Sequence, residues 1–577
     1  MRPVAPLIFS ALLTAACTEG VIVAPPGSSV DPIDVPGNPL DPKDPAKPTS
    51  RCVDRTAASP TKTLTLSKPQ LHNALEDLFG ADVVLAVEAP LSTVTDESHH
   101  PETFNRLSVV SPALVSAWFN VAKALSNEVL SKPALRARVF GACAMGTAPA
   151  ATCVDTYLST FAPKLLRRPL TPDEVAFAKS LVARPGDKLE NLRAVLTAHL
   201  FSPSFLWRQE LGSADPTDGR VALTPYEVAA RLSFSLTDTT PDDTLLAAAA
   251  AGELATPDGI RAQAQRLVDT PRGRTKTVEL LARWARTTTP TDFSGLPGEM
   301  LAAVQTDGLA EAMGLEAKAF VDDTVYVKRG SFKALLTSKA SFASHPGLAN
   351  IYGHAAVAGG VAQTFPDRRQ GLLMRAGYLT HSLPRTSIIH RGVDFQKYFL
   401  CNTIPAPTVD IVDNRDADAL TVEQQLASTN RESVAHQTKS AVCQACHKVI
   451  NPTGNAFESF DALGRYRTEE RIYDANGMFV RTLPVDSRAD VPLPDGTALS
   501  VGDAYDLVTW LSTSKTGASC FSTNLYRLLN EKLETNADAC ELEDLEQVVS
   551  SPDRAVVDAI ARVAANTHAA TKFIGGE

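Results

Sequence analysis

No stretch of this sequence reaches 18 consecutive apolar residues, so none of it reads as a permanent membrane-spanning helix. Aromatic residues are scarce at 6%, which argues against a large carbohydrate-stacking surface. There is no excess of positive charge. With 55 Lys and Arg against 65 Asp and Glu, the formal charge of −10 speaks against general nucleic-acid binding, which needs a basic face to displace counterions. Gly-x-Ser-x-Gly, the Walker loop and the dinucleotide fingerprint are all missing, so neither a serine hydrolase nor a nucleotide-using enzyme is supported. Period-2 stretches are few. What is present is an ordinary globular composition, 44% hydrophobic over 577 residues, enough for about three to five folded units. Nine cysteines, an odd number, ask for an explanation.

Residues 1–16, MRPVAPLIFSALLTAA, place one cation before an apolar stretch that ends in small residues just ahead of Cys17. That is the anatomy of a secretory signal. A cysteine directly after Ala15-Ala16 resembles the bacterial lipoprotein signal, in which Cys17 becomes the lipidated N-terminus. Thr14 stands where that pattern usually has Leu, and ordinary cleavage beside an incidental thiol is the alternative. Residues 18–50 hold eight of the 39 prolines and read as an extended tether.

From Cys52 onward helical patterns dominate. Four times a Leu precedes a hydroxyl residue, two spacers and Glu or Gln: Ser67…Gln70, Thr171…Glu174, Thr224…Glu227 and Thr421…Gln424. Each is a capping box, and Pro172 and Pro225 occupy a first helical position. Helix starts are also expected near Asp242, over residues 274–286 and over 308–323, with a left-handed cap at Gly80. The best short strands are residues 477–482 and 490–500.

One chemical signature is strong. Residues 443–447 read Cys-Gln-Ala-Cys-His, a pentapeptide that composition alone would produce about 0.003 times in such a chain. Its spacing suits covalent haem attachment, with Cys443 and Cys446 adding to the two vinyl groups and His447 giving its imidazole to iron. A structural zinc is the first rival, but it needs four ligands and no second Cys-x-x-Cys or paired His follows. A redox dithiol is the second, without the βαβ pattern that usually surrounds one. Pro452 lies five residues after His447; it either orients that imidazole through its carbonyl or is a loop proline.

The surroundings carry a resemblance. AVCQACHKVINPTGNAFESFDALGRYRT (441–468) is similar to the haem-motif segment of the planctomycete-type cytochrome-c-like family, secreted multi-domain proteins of poorly defined activity. LSKPQLHNALEDLFG (66–80), FAPKLLRRPLTPDEVAFAKSLV (161–182), SPSFLWRQE (202–210), YEVAARLSFSLTDTTPDDTLLAAAAAGEL (226–254) and GLLMRAGYLTHSLPRTSIIHRG (371–392) resemble other modules of that family in order. A departure lies at Tyr526, where Arg-Leu-Leu-Asn-Glu-Lys follows in place of the usual Ala-Leu-Gly-Arg.

The resemblance implies a mainly α fold, several helical modules followed by a cytochrome-c-like haem module with short β elements near its C-terminal side. The expected divisions are a signal peptide at 1–16, a Pro-rich tether at 17–51 and helical modules at 52–138, 139–213 and 219–358. A haem c-binding module follows at 362–484 and a C-terminal helical module at 485–577. One covalently bound haem c is expected, on Cys443, Cys446 and His447. The sixth ligand stays open among Met478, Met374, His390, His436 and His381. Each also has an ordinary structural reading, and Arg391 is placed to meet a haem propionate.

Weaker clusters are Asp96-Glu97-Ser98-His99-His100, the aspartates 410, 413, 416 and 418, and the pairs Arg167-Arg168 and Arg368-Arg369. The first two read as solvated loops, and the arginines as surface residues that could touch anions.

The expected protein is exported and lipid-anchored at the bacterial cell envelope, at the outer membrane, facing periplasm or exterior. It would move single electrons or assist an oxidoreductase reaction, with a redox partner protein or a macromolecular substrate as partner and no nucleic acid. A single-haem peroxidase or oxygenase and a surface binding or scaffold protein are the alternatives. The cysteines then divide. Cys17 goes to lipid, Cys443 and Cys446 to haem, and six remain for an oxidising compartment. Spacing favours Cys143–Cys153 and Cys520–Cys540, and Cys52–Cys401 follows by elimination, against the alternative of buried thiols.

Overall fold

The computed structural model describes residues 52–55, 63–94, 110–146, 152–212, 220–287, 292–404 and 420–573, apart from Ala303, Gln305, Ala358, Ser382 and Thr567. It is mainly helical, with short strand pairs concentrated between residues 469 and 501. No helix among the described residues is long and apolar enough to cross a membrane. Cys17, the 96–100 cluster and the 410–418 aspartates lie outside the described residues.

Local chemistry sets the helix starts. Ser67, Thr171, Thr224 and Thr421 each accept from the backbone N–H three residues on, while Gln70, Glu174, Glu227 and Gln424 reach back to the cap. All four boxes therefore form as expected, and Asp242 caps Asp243–Ala250. The expected stretches appear as helices Pro271–Trp284 and Leu309–Asp322. Gly80 differs: its φ of 96° is positive, but a ψ of 153° puts it in the extended region only glycine tolerates, outside the left-handed well.

Contacts divide the chain into two compact units, each assembled from separated segments. One contains residues 52–277, 525–545 and 557–577. Its core gathers Leu71, Leu75 and Phe79 from helix Lys68–Phe79 with Trp118, Val121 and Leu125 from Pro112–Ser131 and Val195 and Leu196 from Lys188–Leu200. Such apolar stripes at helical spacing supply most of the stabilisation, about 25 cal/mol per Å² removed from water. Gln70, fully buried, donates to Glu531, which also pairs with Arg208. Strand Thr571–Phe573 pairs antiparallel with Arg220–Ala222.

The other unit contains residues 278–524 and 546–556. Trp284 meets Phe399 and Phe521 edge-on, with ring centroids 5.3 and 4.7 Å away. A second cluster forms around Met313, Leu348, Tyr352 and Phe365. Three arginines here have no exposure at all: Arg369, Arg375 and Arg391. Two helices end in wide π-type turns, Asp323–Val327 after Leu309–Asp322 and Phe395–Phe399 after Ile388–Asp394. The β elements here are two antiparallel hairpins, Glu469–Tyr473 with Phe479–Pro484 and Ala489–Pro492 with Ala498–Val501, so the single strand expected over 490–500 is instead two strands joined by a turn at Leu493–Thr497.

Six cysteines form three disulfides: Cys52–Cys540, Cys143–Cys153 and Cys401–Cys520. The local pair across the Gly/Ala-rich loop is as spacing favours; Cys520–Cys540 and Cys52–Cys401 are corrected. A bridge needs its two Cα atoms within about 7 Å of each other, which chain folding rather than sequence spacing decides. The observed pairs lie 4.2, 5.8 and 5.4 Å apart, although two of them span 488 and 119 residues.

Candidate functional site around Cys443, Cys446 and His447

The pentapeptide sits on helix Ala441–Asn455, which begins where the Ser440 side chain accepts from the Cys443 N–H at 3.3 Å. Residues spaced three and four apart share one helical face, so Cys443, Cys446, His447, Ile450, Asn451 and Gly454 form one stripe. The C-terminal half of the stripe is covered. Gly454 lies so close to helix Ile388–Asp394 that an added Cβ would stand 2.0 Å from the Ile388 carbonyl, and one on Gly392 2.2 Å from that of Ile450. The N-terminal half is partly open, with Cys443, Cys446 and His447 half-buried.

Cys443 and Cys446 stand outside the disulfides. Burial, reinforced by the neighbouring Cys443, raises the Cys446 thiol above its ordinary pKa. Burial lowers that of His447, partly opposed by a hydrogen bond to Asn451, so the imidazole is neutral near pH 7. His447 Nδ1 lies 2.9 Å from Asn451 Oδ1 and donates to it, which leaves Nε2 as the lone-pair nitrogen. Among the described residues, no three His, Cys, Asp or Glu side chains gather as a site for a metal ion. A haem iron takes four ligands from its porphyrin and asks one imidazole of the protein, together with two thiols for the vinyl groups. The donor set and the partly open stripe fit that group.

The other expected ligands are scattered. Met374 is fully buried, its carbonyl accepting from Arg369 at 2.8 Å. Met478 is 56% exposed at the end of the Asp474–Met478 turn. His436 is half-buried near the end of helix Asn430–Gln437, its Nε2 3.4 Å from Lys439 Nζ. The structure does bring His381 and His390 together, rings stacked at 5.4 Å, with His390 Nδ1 2.5 Å from Ser387 Oγ. Ile388 and Gly392 face the Ala441–Asn455 helix, so His390, midway between them in sequence, projects from the opposite side of its own helix.

Several roles are corrected. Arg391 is not available to a propionate: its guanidinium donates to the carbonyls of Leu379, Phe457, Phe460 and Asp461. Burial brings its pKa down to about 10. Arg369 is likewise committed to the Met374 and Gly464 carbonyls, and Arg167 to those of Ser204, Phe205 and Trp207. Arg168 pairs with Glu174 and Arg368 with Asp503, so neither pair of adjacent arginines is an anion site. Pro452 is in the helix, not a loop, and the partner of His447 is Asn451, four residues on. That i, i+4 spacing was the signal that could have found Asn451. Its own partner, Thr438, left no sequence signal.

Two family models match the chain. PSD4, described as a protein of unknown function (DUF1592), covers residues 223–354, and PSCyt3, described as a protein of unknown function (DUF1588), covers residues 369–470. The first includes the segment 226–254 and the second includes 371–392 and the 441–468 segment with its pentapeptide. No curated protein and no solved structure matches the chain. In two stretches on either side of residue 360, the chain is similar to these two families.

Proposed function

We propose that the chain is an exported, envelope-anchored monohaem c-type cytochrome-like protein, serving electron transfer or a haem-dependent oxidoreductase reaction. The observation that carries this reading is the division of the cysteines. Six form disulfides, while Cys443 and Cys446 remain thiols one helical turn apart, on the same face as a neutral His447 that presents Nε2. The name of the family similar to residues 369–470, PSCyt3, reads as cytochrome-like and agrees. When bound, haem supplies a one-electron iron couple. Cys443 and Cys446 would hold it covalently and His447 would give the proximal ligand. The anchor would be Cys17, with a redox partner or a macromolecular substrate at the envelope.

Production with cytochrome-maturation machinery should yield a covalent haem band after denaturing electrophoresis. Changing both cysteines to Ala should abolish that band, and His447→Ala should change the absorption spectrum. A chain that never acquires covalent haem under those conditions refutes the reading.

A further inference from the structure

Three hydrogen bonds lead away from His447 in a single direction. They end on a group that can only accept, and this fixes the sense of the whole chain. The Thr438 hydroxyl donates to the Val434 carbonyl at 2.7 Å. A hydroxyl has one proton, so Thr438 Oγ1 can offer Asn451 only a lone pair, and the Asn451 amide donates to it through Nδ2 at 2.8 Å. The carboxamide is thereby oriented with Oδ1 toward His447, whose Nδ1 must carry the proton it donates across 2.9 Å. Thr438 and Asn451 are both buried, 4% and 9% exposed, so water does not compete freely for these bonds. Gln444 holds the Thr438 carbonyl at 2.6 Å and anchors the turn that presents the hydroxyl.

We infer that the Thr438–Asn451 pair is a positioning device that locks His447 as its Nδ1–H tautomer, keeping Nε2 deprotonated for a metal. It rests on the haem reading for its purpose but not for its test. Thr438 acts only through Asn451. Without the hydroxyl, nothing on that side prevents the carboxamide from turning over and presenting its NH₂ to Nδ1, which favours the opposite tautomer. The partner is also electrically neutral. A carboxylate at residue 451 would keep the same tautomer while pushing more electron density onto the imidazole.

The test uses the full chain labelled with ¹⁵N-histidine, first without haem. The wild type should show His447 as Nδ1–H. Thr438→Val should cut that form relative to Nε2–H by about fivefold, the ratio that one net hydrogen bond carries. Thr438→Ser should restore it, and Asn451→Asp should retain it. With haem attached, Asn451→Asp should lower the reduction potential. A Thr438→Val protein that keeps the wild-type helical content and the wild-type tautomer overturns the inference. Should Thr438→Val not fold, Asn451→Leu tests the pair instead, because it removes the acceptor of the Nδ1–H; a folded Asn451→Leu protein with the wild-type tautomer overturns the inference. A wild type that never takes up covalent haem would defeat the haem reading alone, and the tautomer result would still decide the role of Thr438.

Discussion

Helices Ile388–Asp394 and Ala441–Asn455 approach each other closely through two glycines. A Cβ at Gly454 would lie 2.0 Å from the Ile388 oxygen, and one at Gly392 would lie 2.2 Å from that of Ile450. Both obstacles are backbone, so no rotamer change relieves them. The helices would have to part by about 1 Å in an interior packed like a crystal. Overpacking of this kind costs about 3 kcal/mol, and Ala in a helix regains about 1 relative to Gly. Each of Gly392→Ala and Gly454→Ala should therefore destabilise the protein by about 2 kcal/mol. Once one substitution has separated the helices, the second has less to push against. The double variant should then fall well short of the sum, a coupling typical of neighbours. Urea unfolding of the full chain measures the total. Hydrogen exchange should localise the loss to residues 388–394 and 441–455, which matters in a chain of two units. Single variants as stable as wild type, or a double variant equal to the sum, would refute the reasoning.

Two other predictions concern buried charge. Arg375 and Glu316 form an ion pair with side chains 0% and 2% exposed, Arg375 also lying 3.7 Å over the Phe320 ring. Glu316→Leu should cost about 3–5 kcal/mol by leaving a buried cation uncompensated, and adding Arg375→Met should recover part of it. A loss below about 1 kcal/mol in the single variant would assign the stability to the ring contact instead. Enclosure, reinforced by Asp538 and opposed by the Asn566 hydrogen bond, pushes Glu541 up to about 8. Between its unfolded value of roughly 4.5 and that figure, the folded chain holds a proton the unfolded chain has released. Stability should accordingly fall as pH rises through that window, by up to about 1.4 kcal/mol per unit. Glu541→Gln should flatten the slope in urea midpoints, and an unchanged slope would remove Glu541 as its source.

Sequence read this fold where the physics is local. Each capping box needs only four residues, and Thr421…Gln424 is as complete in the structure as on paper. The same rule overlooked in a single case shows its limit. Thr429 and Glu432 make a further box, so the helix begun at Thr421 stops at Ala427 and a second one, Asn430–Gln437, carries His436. The strand expected over 477–482 overlaps Phe479–Pro484, after a turn in which Asp474 accepts from the N–H of Asn476 and Met478, whereas its partner Glu469–Tyr473 was not read from the sequence. Cysteine partners beyond ten residues were not legible, because loop closure over 119 or 488 residues depends on every element between.

The buried arginines show the same boundary from the side of function. In sequence, Arg391 beside His390 reads as a cation waiting for an anion. In the structure its pKa falls through burial while its donors go to four carbonyls, and three of those carbonyls lie between Phe457 and Asp461, directly after the Cys443 helix. A guanidinium is suited to this because its five N–H groups can satisfy several carbonyls that a sharp turn leaves without helix or sheet partners. The charge is thus the cost of closing the turn behind the helix rather than a means of gripping a ligand. Asn451 makes the converse case. It looks like an ordinary helix residue before a proline, yet its position four after His447 lets a neutral side chain govern which imidazole nitrogen is available. At this site charge marks structure, and the group that bears on the proposed chemistry is uncharged.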